Sequence, residues 1–351
     1  MTLPSRGTLT RRALLAAVAA AAAPRAHAGS GYAEAAAYNA AQGGVSMLVM
    51  LDGRIAFEDY PNGSRLDQAR PLASGTKSFT GLMAAAAVQD RLLALDEPAS
   101  ATLSEWRDDP AKRRITIRHL LNLTSGLQTN RTRGDVLAAA QALQLPVVAE
   151  PGARFAYGGD PFQIFAELMR RKLKGQDPAD WLQRRLLTPA GVQTGPWVRV
   201  ADGLPQIAGG ARLTARDWAR FGELVRLDGR AGGRQLVDPA ALAACFQGSA
   251  ANPAYGLGWW LNRRVTAEHR RTTPQLARAM DLSPDEPAIP ADLVIAAGAG
   301  KQRLYVSRDA RMVVVRQAGG VRRALRGEQT DFSDAEFWRR LRPSLSRTPA
   351  R

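Results

Sequence analysis

Cysteine and histidine are scarce in this chain, which limits the chemistry it can carry. Cys245 is the only cysteine, so an intrachain disulfide is excluded and we expect a buried, unreactive thiol. The three histidines are His27, His119 and His269. A zinc site needs more ligands than this, and only His119 is a candidate for a Ser-His-Asp triad, with a structural histidine as the alternative. No metal or organic cofactor is indicated.

Long apolar runs are also missing. The run from Ala13 to Ala23 has 11 residues, whereas about 20 are needed to span a bilayer, so no membrane span is expected. Arg11 and Arg12 precede this run and Ala26-His27-Ala28 follows it. This pattern predicts an export signal over residues 1–28, of the twin-arginine type or an ordinary secretory one, and a periplasmic or secreted protein.

Acidic residues are outnumbered, with 32 Asp and Glu against 48 Lys and Arg. Nucleic acid is the usual partner of so basic a chain. However, 43 of the basic residues are Arg and they are scattered rather than clustered with aromatics. We therefore expect no nucleic-acid partner. Weak attraction to an anionic cell envelope stays open, as does the oligomeric state.

Lysine is rarer still, and one of the five stands three residues after a serine. Ser74 and Lys77 begin an apolar helical stretch that includes Phe79, Leu82 and Met83. Residues i and i+3 share a helix face, so the Lys77 amine can reach the Ser74 hydroxyl and act as its base. The alternative is that Ser74 caps the helix while Lys77 extends to water.

The remaining pattern predicts an α/β (α+β) fold, with an antiparallel sheet flanked by helices and an inserted helical lobe. We expect one catalytic domain over residues 29–345, with a sheet lobe at about 40–97 and 288–345 and a helical lobe at about 98–287. The predicted elements are a hairpin over 45–58, helices over 115–121, 162–172, 181–187, 214–227 and 334–341, a strand near 252–261, and strands over 293–297, 303–306 and 312–316.

Several stretches, in order along the chain, resemble the serine β-lactamase and penicillin-binding-protein family, especially its class C and esterase branch. They are residues 73–78, 115–127, 214–217 with 221–222, 255–259 and 333–338. The resemblance implies the β-lactamase/transpeptidase-like fold, with Ser74 and Lys77 as catalytic residues. It also implies that Tyr157, in Tyr157-Gly158-Gly159-Asp160, is an acid/base that could ionise near Lys77. A core tyrosine is the alternative.

Two departures from the family pattern concern substrate binding. Gly159 stands where the family has an Asn that contacts the substrate amide, and Asp160 could partly replace it. The third motif aligns with Ala296-Ala297-Gly298 and lacks the usual cation. By resemblance, the N–H groups of Ser74 and Ala299 form an oxyanion hole, and Gly298 and Gly300 line the substrate.

The same glycine-rich stretch could be a plain hairpin turn, and Lys301 or Arg303 could supply the missing charge. The sequence therefore predicts an exported serine hydrolase that acts through an acyl-Ser74 intermediate on a small ester, amide or cell-wall-derived substrate, and that turns over penicillin poorly. The alternatives are a true β-lactamase or D-Ala-D-Ala carboxypeptidase, and a non-catalytic cell-wall-binding relative.

Overall fold

The computed structural model describes residues 30–129, 136–272, 283–328 and 330–345. The predicted export signal, residues 1–28, lies outside the described residues. Within them, no helix has the length and apolar character needed to cross a membrane.

A six-stranded antiparallel sheet carries the fold, in the order β2-β1-β10-β9-β8-β7. Its strands are β1 Gly44–Leu51, β2 Arg54–Asp59, β7 Trp260–Leu261, β8 Val294–Gly298, β9 Gln302–Ser307 and β10 Met312–Ala318. Two short pairs are separate from it, β3 Arg70–Pro71 with β4 Arg212–Leu213, and β5 Arg230–Ala231 with β6 Arg234–Gln235. Because β1 pairs with β10, the two ends of the domain close one sheet.

Helices flank the sheet and make up most of the other secondary structure in the described residues. The described α-helices are α1 Ser30–Ala41, α2 Lys77–Gln89, α3 Ile117–Leu121, α4 Ala139–Ala142, α5 Asp160–Lys172, α6 Pro178–Leu182, α7 Ala215–Arg226, α8 Pro239–Ala243, α9 Ala267–Thr272, α10 Val321–Leu325 and α11 Asp334–Leu345. The antiparallel sheet with flanking helices confirms the predicted fold class.

Helices with one strongly apolar face lie where the sequence predicts them, whereas other elements differ from the prediction in type or length. Thr214 caps α7 by accepting the Asp217 N–H, as its position predicts. The predicted helix over 181–187 is instead the end of α6 followed by a π-helical turn over Gln183–Leu187. The strand expected near 252–261 is only Trp260–Leu261, and α1 was not predicted at all.

Helix α7 packs on β1, β9 and β10, although the predicted boundaries place it in the helical lobe. A Cβ on Gly222 would lie 2.6 Å from Val313 Cγ1, so glycine lets the helix approach the sheet closely. Phe221 stacks on Phe79 of α2 with ring centroids 3.8 Å apart. Helix α2 is buried along most of its length, as its apolar composition predicts, and α7 packs against one side of it.

Within the part of the chain that the structure describes, part of β8 has no neighbouring strand on the side that lies beside the start of α2. Strand β7 pairs only with Val294 and Ile295, so β8 has no partner from β7 along Ala296–Gly298. Gly298 lies against the turn that precedes α2, since a Cβ there would be 2.0 Å from the Leu72 carbonyl oxygen. Any larger residue would push β8 away from that turn.

Candidate active site

Ser74 lies in a 3₁₀ turn, Ala73–Thr76, directly before α2. Ala73 has φ +48°, a left-handed conformation that costs an L-residue about 1–2 kcal/mol. Thr76 holds the turn, because its hydroxyl donates to the Ala73 carbonyl at 2.7 Å and accepts the Ala211 N–H at 3.1 Å. The Ser74 side chain makes no capping bond at either helix start, contrary to the capping alternative.

Lys77 is buried rather than extended to water, with 3% of its surface exposed. Its Nζ lies 3.2 Å from Ser74 Oγ and donates to the Ala208 carbonyl at 3.0 Å. Burial lowers the pKa of Lys77 to about 7, and the charge of Asp160 opposes part of that shift. A substantial fraction of the amine is therefore neutral at physiological pH, as a base requires.

Tyr157 brings the third group to the same point. Its ring lies 5.0 Å from Lys77 Nζ and stacks on Trp260 with centroids 5.6 Å apart. Burial raises the pKa of Tyr157, while the neighbouring Ser74 hydroxyl and the charge of Arg303 oppose the rise. The phenol is therefore protonated at neutral pH, which favours a proton donor over the ionised phenolate considered from sequence.

The residues after Tyr157 have packing roles in this geometry. Asp160 is buried, begins α5 and accepts the Leu137 N–H at 3.1 Å. A Cβ on Gly159 would lie 2.6 Å from Val136 Cγ2, so apolar surface occupies the place next to it. Substrate contact by Gly159 and Asp160 stays a prediction.

The third motif was predicted to be either an edge strand beside the site or a plain hairpin turn, and residues 294–302 contain both a strand and a turn. Strand β8 ends at Gly298, and residues 299–301 form the turn into β9. Gly300 and Lys301 both have positive φ, +72° and +60°. Gly298 lies beside the Ser74 turn, and Ala299 follows at the first turn position. The roles of Ala299 as oxyanion donor and of Gly298 and Gly300 as substrate contacts stay predictions.

Lys301 and Arg303, which could supply the missing positive charge of the third motif, both lie against Asp334. Arg303 is 2% exposed and forms an ion pair with Asp334 at 2.7 Å. Lys301 Nζ lies 3.7 Å from the same carboxylate. Arg303 is therefore too buried to bind a substrate carboxylate directly.

His119 and Cys245 have structural roles. His119 completes a capping box with Thr116 at the start of α3. Cys245 is buried, and burial raises its thiol pKa to about 12. These positions match the structural alternatives given for both residues.

Residues 30–318 match the Beta-lactamase family model, and the chain therefore belongs to the β-lactamase family of serine hydrolases. A segment of 123 residues is 30% identical to the acyltransferase calJ of Penicillium decumbens. That match covers 27% of this chain and 29% of the relative, so the two proteins align over less than a third of either length.

Solved structures show the same fold. A Bacillus anthracis protein provisionally assigned as a 6-aminohexanoate-dimer hydrolase aligns with a TM-score of 0.66 at 17% identity, over 88% of this chain and 81% of its own. EstCE1, described as a hydrolase with promiscuous acyltransferase activity, aligns with a TM-score of 0.62 at 17% identity, over 89% of this chain and 98% of its own.

Two partners of the site carried no signal in the sequence. The Ala208 carbonyl bonds Lys77 from 131 positions away, and Val136 packs against Gly159. A backbone carbonyl is available at every residue, so nothing in residues 207–211 marks it. The replacement of a motif Asn by Gly159 was the one clue that another side chain fills that space.

Burial of Lys77 predicts a conflict between activity and stability. Lys77→Met keeps the length of the stem and removes the amine, so the cost of burying a polar group disappears. We expect the melting temperature at pH 7 to rise by about 2–4 °C while hydrolase activity is lost. The matched control is Lys174→Met at an exposed position, which should change neither. A clear fall in the melting temperature of Lys77→Met would contradict this account.

Proposed function

We propose that this chain hydrolyses small esters or amides through a covalent acyl-Ser74 intermediate. The observation that carries the proposal is the 3.2 Å contact between Ser74 Oγ and the amine of Lys77, which burial removes from water. A serine hydroxyl becomes a nucleophile when a positioned base removes its proton.

The pKa directions divide the proton transfers between two residues. Neutral Lys77 accepts the Ser74 proton as Oγ bonds to the substrate carbonyl carbon, while its other contact, to Ala208, holds the amine in place. Tyr157 then donates its proton to the leaving group as the carbonyl–leaving-group bond breaks. A proton passes from Lys77 to Tyr157, which restores both groups.

Deacylation repeats these steps with water as the nucleophile. Neutral Lys77 accepts a proton from water as the water oxygen bonds to the acyl carbon, and Tyr157 donates its proton to Ser74 Oγ as the acyl–Oγ bond breaks. A proton then passes from Lys77 to Tyr157, which restores both groups. The negative oxygen formed in both steps is stabilised by the N–H groups of Ser74 and Ala299, and one such donor contributes about 2.7–4 kcal/mol.

The surroundings of Ser74 favour an uncharged acyl group. Arg303 and Lys301 are paired with Asp334, and Val136 gives apolar surface beside Gly159. A penicillin or a D-Ala-D-Ala peptide carries a carboxylate and an amide that need polar partners. EstCE1 is described as a hydrolase with promiscuous acyltransferase activity and calJ as an acyltransferase, which supports acyl transfer as the reaction.

Export forms part of the proposal, because the signal pattern over residues 1–28 predicts a periplasmic or secreted location. The rival functions are β-lactam hydrolysis, D-Ala-D-Ala cleavage and cell-wall binding without catalysis. Covalent labelling of Ser74 and a panel of substrates distinguish them from ester or amide hydrolysis.

Covalent labelling tests the nucleophile. A fluorophosphonate probe should label the wild-type protein on the peptide that contains Ser74, as measured by mass spectrometry after digestion. The Ser74→Ala variant should stay unlabelled while keeping the same circular dichroism spectrum. A well-folded wild-type protein without label would favour the non-catalytic binding function.

A substrate panel tests the predicted preference. We expect kcat/KM for p-nitrophenyl butyrate to exceed that for benzylpenicillin and for a D-Ala-D-Ala peptide by about 100-fold or more. The double variant Gly159→Asn with Val136→Ala restores the amide and makes room for it, so the gap should narrow. Penicillin hydrolysis by wild type as fast as ester hydrolysis would contradict the proposal.

A further inference from the structure

A buried ion cluster lies behind the turn that joins β8 to β9. Arg303 Nε and Nη2 lie 2.7 and 3.0 Å from the two carboxylate oxygens of Asp334. Tyr305 donates its hydroxyl to the same carboxylate. The side chains of Arg303 and Asp334 are 2% and 0% exposed. A bidentate pair this deeply buried is costly to form, and the arrangement fixes the guanidinium in one orientation.

This fixed guanidinium, together with that of Arg316, faces the backbone of the turn. They donate to four carbonyls of residues 298–302: Arg303 to Gln302 (3.0 Å) and Gly298 (3.5 Å), and Arg316 to Lys301 (2.7 Å) and Gly300 (3.5 Å). The turn that carries Ala299 is therefore held by side chains of β9 and β10.

The contact with Gly298 matters because this carbonyl shares a peptide unit with the Ala299 N–H. In a trans peptide the C=O and N–H point in opposite directions. A guanidinium on the carbonyl side therefore sets the direction of the N–H. It also draws electron density from that N–H and strengthens it as a donor, since hydrogen bonds in series polarise one another.

We propose that Arg303, anchored by Asp334, is a positioning residue that orients and polarises the Gly298–Ala299 peptide for oxyanion stabilisation. This inference rests on the proposed acyl transfer at Ser74. The charge of Arg303 reaches the catalytic groups, since it lowers the pKa of Tyr157 against the effect of burial. The positive charge of Arg303 thus acts through the Gly298–Ala299 peptide, and this arrangement does not require a cation on the open edge of β8.

The pair can be tested by neutralising both members at once. Arg303→Met with Asp334→Asn removes the two charges and keeps an acceptor for Tyr305. We expect kcat for p-nitrophenyl butyrate to fall about 10- to 100-fold and KM to change by less than about 2-fold. The rate of Ser74 labelling by a fluorophosphonate should fall in parallel, because the phosphonyl oxygen occupies the same oxyanion site.

Two further variants separate positioning from simple stability. Tyr305→Phe removes one bond to Asp334 and leaves both charges, so its kcat should stay near wild type. Arg303→Lys keeps the charge and shortens the reach, so its kcat should lie between wild type and the double variant. This intermediate kcat also tests the proposal if the double variant fails to fold.

Three results would overturn the inference. They are a double variant with wild-type kcat, a loss confined to KM, and a Tyr305→Phe variant as impaired as the double variant, which would indicate a structural effect. Failure of the proposed function looks different, because wild-type protein itself would then show neither Ser74 labelling nor ester hydrolysis.

Discussion

The site depends on the burial of one amine. In water the Lys77 amine would be protonated and could not act as a base. Burial at the start of α2, where the amine donates to the Ala208 carbonyl, lowers its pKa to about 7. The same burial raises the pKa of the neighbouring Tyr157 phenol. One low-dielectric environment therefore shifts the pKa values of a cationic acid and a neutral acid in opposite directions. In the proposed mechanism this separates a proton acceptor from a proton donor around the Ser74 hydroxyl.

The rest of the fold keeps that environment closed and correctly shaped. Gly298 and Gly258 let the backbone approach the Ser74 turn and the start of α2, where a Cβ would lie 2.0 Å from Leu72 O and 2.2 Å from Lys77 O. Phe79 of α2 stacks on Phe221 of α7. The sheet contributes its open edge, and the ion pair behind β9 holds the turn at the end of that edge.

Sequence reasoning succeeded where a physical requirement leaves a local mark. The apolar run after Ser74 predicts a buried helix, and the i, i+3 spacing predicts the Lys77 contact; both are present. The sheet order could be anticipated only in outline, because the pairing of β1 with β10 joins residues more than 260 positions apart.

The partners of the site were largely beyond sequence reasoning. The Ala208 carbonyl is a backbone group without a signature, and Val136 is an ordinary apolar residue that becomes informative only beside Gly159. Arg303 was noticed as a nearby charge, but its direction depends on Asp334, which lies 31 residues later on α11. Such pairings exist only once the chain is folded.

Direct titration of Lys77 tests the central claim. The chain has five lysines, so protein labelled with ¹³C at lysine Cε gives few NMR signals, and the one absent from Lys77→Met belongs to Lys77. The account predicts that this signal titrates with a pKa of about 7 and that kcat/KM rises with pH through the same range. A Lys77 amine that stays protonated up to pH 9 would contradict it.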